Sequence, residues 1–530
     1  MSRNGLDQFV IGVDFGTDAV RAVLVDARNG GELASASFAY PRWRDGLYCD
    51  PARNQFRQHP LDYIEGLGYT IKACLRQAGE EAASAVRAIT IATTGSTPVA
   101  VNEEGTPLAL MPGFEQNANA MFVLPKDQTA VKEAAEINFI AGKQEVDYLK
   151  CSGGVYSPEG YWAKLLHILR ADESVSRSCF SFVEHCDWLP FLLTGGHQAM
   201  NVKRSRGAAG QKAIWSTEWG GYPPEEFFSL LDHRLRGFPG RLLKRTFTAD
   251  EPAGFLTPEW SLHLGLGITR NIVIGIGGLD TQMAAVGGQI EPYWLTESPG
   301  SILVVPADHN VPGICGSVIP GMISLEAGQS AFGDIAAWFK KLLSWPLDEL
   351  LMNSKILFPG VAELVREELE GQILHTLSQR ASTLALDNDA ELAITGFSPG
   401  SDAPRIFRAL TEAGCFGTKN TIDQLASQEI PVKGIIVTGE AAKKSPYILQ
   451  LLADGLQLPV RISKAEHSTA LGAAMFAATA AGIYPDIQKA MKVMGAGFEK
   501  TYAPDPGKGS FYARRYEKYK KLKDQLNQIQ

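Results

Sequence analysis

Long apolar runs are missing from this chain: no segment reaches the ~20 consecutive apolar residues of a helical membrane span. The opening Met1-Ser-Arg-Asn-Gly-Leu-Asp7 leads directly into a candidate strand without a secretory apolar segment, so a cytoplasmic chain is expected. Cysteine is scarce, with seven among 530 residues and no Cys-x-x-Cys pair. Cys179 and Cys186 are the nearest two, and nothing beside them completes a metal site. An odd, widely spaced set fits reduced thiols better than a disulfide scaffold. The nine histidines are equally dispersed, which argues against structural zinc. Positive charge is also in short supply. A net charge of −8 disfavours a general nucleic-acid or membrane-surface binder and leaves room only for a local basic patch. Low-complexity segments are absent. What remains is ordinary globular composition, 45% hydrophobic and 20% charged, in a chain too long for one core. Two domains of roughly 250 residues each are expected.

The stretch around which the rest is organised is Phe9 to Asp26. Two apolar runs, Phe9–Val13 and Ala19–Val25, flank the turn Asp14-Phe-Gly-Thr-Asp18, which predicts a β-hairpin. Asn29-Gly-Gly31 and the run Glu32–Phe38 extend it to a meander. Gly16 has no Cβ to hold a ligand away, and Thr17 adds a hydroxyl to a turn whose N–H groups can cradle an anion. Asp14, at a strand end, suits Mg²⁺ held through water beside a phosphate. Taken alone, the segment is equally an ordinary hairpin with polar turn residues.

Further along, a helix is expected from Tyr63 to Ala78, then a buried strand from Val86 to Ala92 ending in Thr93-Thr-Gly-Ser-Thr97. Small hydroxyl residues at a strand's carboxyl end suit a sugar or phosphate, or simply a turn. Lys212, in the basic, Gly-rich stretch Arg204–Trp215, can reach an anionic group, although a solvated lysine is commoner. Ile272–Ile276 reads as a buried strand followed by Gly277-Gly-Leu-Asp280. Asp280 suits a carboxylate fixed close to a substrate hydroxyl, and equally an N-cap, the commoner use of such an aspartate. Leu295 to Pro306 reads as two strands around Ser298-Pro-Gly-Ser301, open to reading as a pseudo-repeat of the first hairpin despite a poor sequence match. Glu326 and Gln329 stand among small residues in a strand-to-helix run, and Pro346–Leu386 is expected to be mostly helical. Pro431–Pro446 is a strand, a Gly turn and a basic helix start, an arrangement that favours phosphate or a nucleotide. The packed helix Ala470-Leu-Gly-Ala-Ala474 and a charged terminal helix close the chain.

The order of these motifs resembles the FGGY carbohydrate kinases, whose ATPase fold is shared with actin and hexokinase. The matching stretches are Asp14–Ala22, Gln58–Glu65, Thr94–Pro98, Lys212–Trp215, Gly313–Gly316 and Leu325–Asp334, within a likeness that covers nearly the whole chain. The resemblance implies an α/β, two-domain actin/hexokinase-like ATPase fold built of ribonuclease H-like repeats with an interdomain cleft. Residues 1–290 would form the sugar-binding side and 291–530 the nucleotide-binding side. It further implies ATP and Mg²⁺ as cofactors, and phosphorylation of the terminal hydroxyl of a ketopentose in arabinose catabolism. Asp14, Gly16 and Thr17 would face the ATP phosphates, with Asp14 also on the metal. Gly300 and Ser301 would form a second phosphate loop, and Gly439 and Lys443 would lie near adenosine. Asp280 would be the general base, holding the sugar together with Ser96, Lys212 and Glu326. The partners implied are the sugar and ATP, without nucleic acid or membrane, with a homodimer left open.

Four places depart from the family pattern. Ala92 stands where an Asp is usual, Pro299-Gly-Ser301 replaces Gly-Thr-Ser, Gly439-Glu440 replaces Gly-Gly, and the chain is short before Asp402. These lie on the nucleotide side. A kinase for another pentulose or polyol, and a sugar-binding homologue with weakened transfer, are therefore the competing readings.

Overall fold

The computed structural model describes residues 8–79, 81–268, 271–297, 301–309, 311–327, 339, 342–343, 374–376, 393–396, 398–439 and 445–529. The chain divides into two compact units that are not contiguous in sequence. The first takes Met1–Ile290 together with Val304–Leu325 and His467–Gly497; the second takes Glu291–Leu303, Glu326–Glu466 and Phe498–Gln530. A single cut at 290/291 therefore differs from the observed division, because two later segments return to the first unit.

In the first unit the strands are β1 (Phe9–Phe15), β2 (Ala19–Asp26), β3 (Gly31–Ala39), β4 (Val86–Thr93), β5 (Pro98–Val101), β6 (Ser181–Glu184), β7 (Pro252–Phe255), β8 (Val273–Gly275) and β9 (Gly278–Leu279). The helices that bear on function are α1 (Pro60–Ala78), α2 (Tyr161–Ala171), α3 (His185–Leu193), α4 (Arg206–Lys212) and α5 (Asp280–Gly287). The main sheet runs β7-β8-β4-β1-β2-β3, with β9 also pairing β4. Its central strands β1 and β4 are near-continuous apolar runs because both faces are covered. On one face lies α1, started by His59, whose Nδ1 accepts the Leu61 N–H at 3.1 Å, and by Pro60 in its first turn. Against the sheet also lies the helix Ser468–Ala480, buried on nearly every side.

Small residues explain why that late helix returns. A Cβ on Gly12 of β1 would lie 1.8 Å from the Ala470 carbonyl oxygen, and one on Gly472 would lie 1.9 Å from that of Met283 in α5. The three backbones touch, which only glycine allows. Gly472→Val is expected to destabilise the protein by about 3 kcal/mol or more, because neither backbone can give way. Calorimetric melting checks this, and an unchanged transition would mean that the two helices do not meet there.

The second unit repeats the strand logic. Its strands are β10 (Trp294–Glu297), the first half of β11 (Ser301–Pro306), β12 (Gly434–Val437), β13 (Val460–Ser463) and β14 (Phe498–Tyr502). β10 pairs β11 antiparallel and β12 parallel, β12 pairs β13 parallel, and β13 pairs β14 antiparallel. In the first unit, β1 pairs β2 antiparallel and β4 parallel, β4 pairs β8 parallel, and β8 pairs β7 antiparallel. The same sequence of pairings recurs, so the hairpin at 294–306 is the topological counterpart of the opening one. Helices α6 (Ala403–Ser427), α7 (Pro446–Leu456) and α8 (Gly509–Ile529) complete this unit. Asp402 caps α6 by accepting the Arg405 N–H at 3.0 Å. Glu412 of α6, buried, is held by Arg408 at 2.8 Å and by Arg515 of α8 at 2.5 Å. The terminal helix is thus tied down by a buried charge as well as by Tyr516 and Tyr519 against Phe416.

One expectation is corrected in part. Within Pro346–Leu386 the described residues are Leu374–Thr376, and they form a strand paired antiparallel with Ala393–Thr395. The helical spacing read across that span misses a short, locally paired ladder, whose stability comes from its partner strand rather than from its own pattern.

Candidate active site

The carboxyl ends of three adjacent parallel strands meet in one row. Asp14 of β1 is in register with Ala92 of β4, and Ala92 with Gly278 of β9; Phe15, Thr93 and Leu279 follow one step on. At about 4.8 Å between strands, Asp14 and the turn that carries Asp280 are about 10 Å apart along the sheet edge. The row is closed by the Thr94 N–H donating to Phe15 O at 3.1 Å.

On the Asp14 side the hairpin turn is tight, with the Gly16 N–H donating to Ala19 O at 3.0 Å. Gln58 supports it from behind by donating to the Thr17 carbonyl at 2.5 Å. Burial pushes the Asp14 carboxyl up to about 6, with Arg21 pulling the other way across the strand pair. No cluster of three His, Cys, Asp or Glu able to cage a metal occurs among the described residues.

On the other side, Asp280 is the first residue of α5 and its Oδ1 accepts the Thr281 N–H at 2.7 Å. The position before the helix is Leu279, so Asp280 is not the N-cap itself. α4 packs against this helix start: Gln282 donates to Gln211 Oε1 at 3.0 Å, and Gly207 makes room for the Gln282 amide. Lys212 ends α4. Its charge bears on Glu184, whose carboxylate accepts the Ser96 hydroxyl and, at 2.8 Å, the Thr97 N–H. Gly95 packs on Leu279 and Gly207 on Gln282, so the turn that carries Ser96, the helix that carries Lys212 and the helix start at Asp280 meet at one end of the first unit. Ser96 itself is fully buried, and its hydroxyl is already engaged by Glu184.

Two residues here escaped the sequence reading. Lys164 of α2 sits buried and donates to the carbonyls of Ser96 (2.7 Å), Leu124 (3.0 Å) and Val123 (3.4 Å). Glu184 ends β6 with its whole side chain inside. The available signal was weak: a lysine in the apolar run Tyr161-Trp-Ala-Lys-Leu-Leu166, and a glutamate after Ser181-Phe-Val183 with His185 and Asp187 close behind it.

In the second unit, Ser301 opens β11 and donates its hydroxyl to Glu297 at 2.9 Å, while Thr418 of α6 donates to the other oxygen at 3.2 Å. Burial pushes the Glu297 carboxyl up to about 7 against those two hydroxyls. Gly439 follows β12 with a φ of 85°, a left-handed turn that suits glycine. Glu326 lies in the strand Met322–Ala327. Gly300 and Lys443, with Pro299 and Glu440, lie outside the described residues.

Residues 298–481 match the C-terminal domain of the FGGY family of carbohydrate kinases. A ribulokinase of Vibrio parahaemolyticus is 39% identical across 99% of this chain and 97% of its own length, in an alignment of 558 positions that exceeds this chain's length. A ribulokinase of Halalkalibacterium halodurans is 31% identical across 98% of this chain and 94% of its own. Among solved structures, a xylulose kinase from Rhodospirillum rubrum superposes with a TM-score of 0.78 at 20% identity, covering 98% of this chain and 99% of that one. A glycerol kinase from Plasmodium falciparum with ADP gives 0.74 at 17% identity, over 98% of this chain and 99% of that one. These two establish the shared fold. The full-length sequence relatives carry the rest: this chain belongs to the FGGY family of carbohydrate kinases, ATP-dependent enzymes that phosphorylate sugars.

Proposed function

We propose that the protein transfers the γ-phosphoryl group of ATP to the terminal hydroxyl of L-ribulose, giving L-ribulose 5-phosphate and ADP. Full-length similarity to ribulokinases supports the substrate class. The observation that carries the chemistry is the row of strand ends that sets Asp14 and the Asp280 turn two strands apart on one sheet. In this reading Asp280 accepts the hydroxyl proton as that oxygen bonds to the γ-phosphorus and the bond to the β–γ bridging oxygen breaks. Lys212 and Glu326 bind the sugar, and Ser96 acts through the turn it anchors. Gly16, Thr17, Gly300 and Ser301 take the phosphates, and Gly439 and Lys443 the adenosine. Positioning and charge neutralisation supply most of the rate in such transfers.

A Mg²⁺ ion fits Asp14. Its carboxylate, half-buried at the end of β1 and kept basic by burial, suits an ion that is shared with phosphates and water. That ion would neutralise developing phosphate charge.

Ala92, in register between Asp14 and Gly278, favours a second reading, a sugar binder with weakened transfer, because a carboxylate usual in the family is missing from the row. Coupled ADP release with a panel of ketopentoses decides between them. Turnover highest with L-ribulose is expected; highest turnover with another pentulose or polyol changes the substrate. Sugar-dependent thermal stabilisation without any ADP release would replace transfer with binding.

A further inference from the structure

We propose that Glu184 and Lys164 are positioning residues for the sugar side of the site, clamping the Gly95–Thr97 turn from behind. This rests on the kinase reading above and names the groups that hold its sugar pocket in shape.

The clamp is built from opposite charges that do not pair with each other. Lys164 directs its three ammonium protons to three carbonyls, those of Ser96, Leu124 and Val123. Glu184 takes the Ser96 hydroxyl on one oxygen and the Thr97 N–H on the other. The turn is therefore gripped at the carbonyl, the side chain and the following amide, while the two ions remain in a fully buried setting. Burying a lysine and a glutamate is costly unless each is fully hydrogen-bonded, and here each is. An apolar pair would fill the same space more cheaply, so packing alone does not account for them. The Ser96 hydroxyl can only donate inward, so its lone pairs remain as the acceptor face of the turn.

The groups facing Lys164 are Glu184 of β6, Glu159 before α2, Asp127, and Arg57. Burial pulls the ammonium down to about 8 even though the three carboxylates oppose it. Above that pH the neutral amine keeps two donors for three carbonyls, and the turn loosens. Sugar affinity is therefore highest below pH 8 and falls above it. Removing the Glu184 charge takes away a force that keeps Lys164 protonated, so the fall must begin at a lower pH.

The test compares wild-type protein with Glu184→Gln and Lys164→Met by calorimetric binding of L-ribulose, KM for sugar and for ATP, and melting temperature, from pH 6.5 to 9.5. For Glu184→Gln we expect sugar Kd and KM about tenfold higher and ATP KM within twofold. Its alkaline fall in sugar affinity should move down by about half a unit or more. In Lys164→Met the fall should disappear on a uniformly weaker background. Should Lys164→Met fail to fold, Glu184→Gln alone carries the test. An unmoved alkaline limb, or sugar and ATP KM rising together in step with lost stability, overturns the positioning role. Wild-type protein that neither binds nor phosphorylates L-ribulose overturns the kinase reading first, and is seen before any variant is compared.

Discussion

Asp280→Asn should lower kcat by about 10³-fold while leaving sugar affinity within about tenfold of wild type. The geometry makes this substitution unusually clean. Asp280 Oδ1 accepts the Thr281 N–H, and the amide oxygen of asparagine accepts it equally well, so the start of α5 is preserved. The contacts that seat this helix are made by neighbours: Gln282 with Gln211, and Gly287 and Gly472 with the backbones opposite. What asparagine cannot do is take a proton from a hydroxyl. The expected outcome is thus an unchanged melting temperature, nearly unchanged sugar Kd by calorimetry, and loss of ADP release. If the residue only steadies a helix end, asparagine leaves the rate intact. Retention of more than a tenth of wild-type kcat would remove Asp280 as the base and with it the proposed chemistry.

How far this was legible in sequence varies by element, for physical reasons. The opening hairpin was readable because apolar runs broken by a Gly turn have few other solutions, and β1, β2 and β3 fall within a residue or two of where the pattern puts them. The repeat at 294–306 was suggested by its two strands, but the poor side-chain match left it open. Strand pairing depends on apolar alternation and on connectivity, and these recur without the side chains recurring. The return of Ser468–Ala480 to the first unit was hidden for another reason. Ala-Leu-Gly-Ala-Ala announces close packing, but only the glycine contacts with β1 and α5 say against what. At the site, Asp14 and Asp280 were visible because each stands near a strand's carboxyl end, two residues from a glycine. Glu184 and Lys164 were not, since a charge in or beside an apolar run carries no spacing that tells a clamp from a surface residue. Ser96 was visible for its turn, although its hydroxyl faces inward to Glu184 rather than outward.

Asp14→Asn is expected to lose activity and gain stability at once. If Asp14 holds the ion that neutralises the phosphates, as proposed, removing its carboxylate should lower kcat/KM about 10²- to 10³-fold, because that ion loses its protein ligand. The stability side follows from burial, which raises this carboxyl from 3.8 to about 6 in the folded protein. A raised folded pKa means the native state holds its proton more tightly than the unfolded chain. That stabilisation is fully present below about pH 4 and is lost as pH rises through about 6. Above pH 6 the native protein therefore carries a buried charge that it would be more stable without. The only opposing interaction named for it is Arg21, which is exposed and contributes little through solvent. Asparagine removes the charge and keeps the shape. At pH 8, with metal chelated and nucleotide absent, the variant should be more stable than wild type by about 1–3 kcal/mol. At pH 5, between the unfolded and folded values, the gain should be about half as large, and below about pH 4 the two should melt together. Calorimetric melting at these pH values, alongside the coupled assay, checks both halves. A stability gain that is the same at pH 5 and pH 8 would mean that burial does not govern Asp14. Unchanged kcat/KM would take it out of the phosphate site.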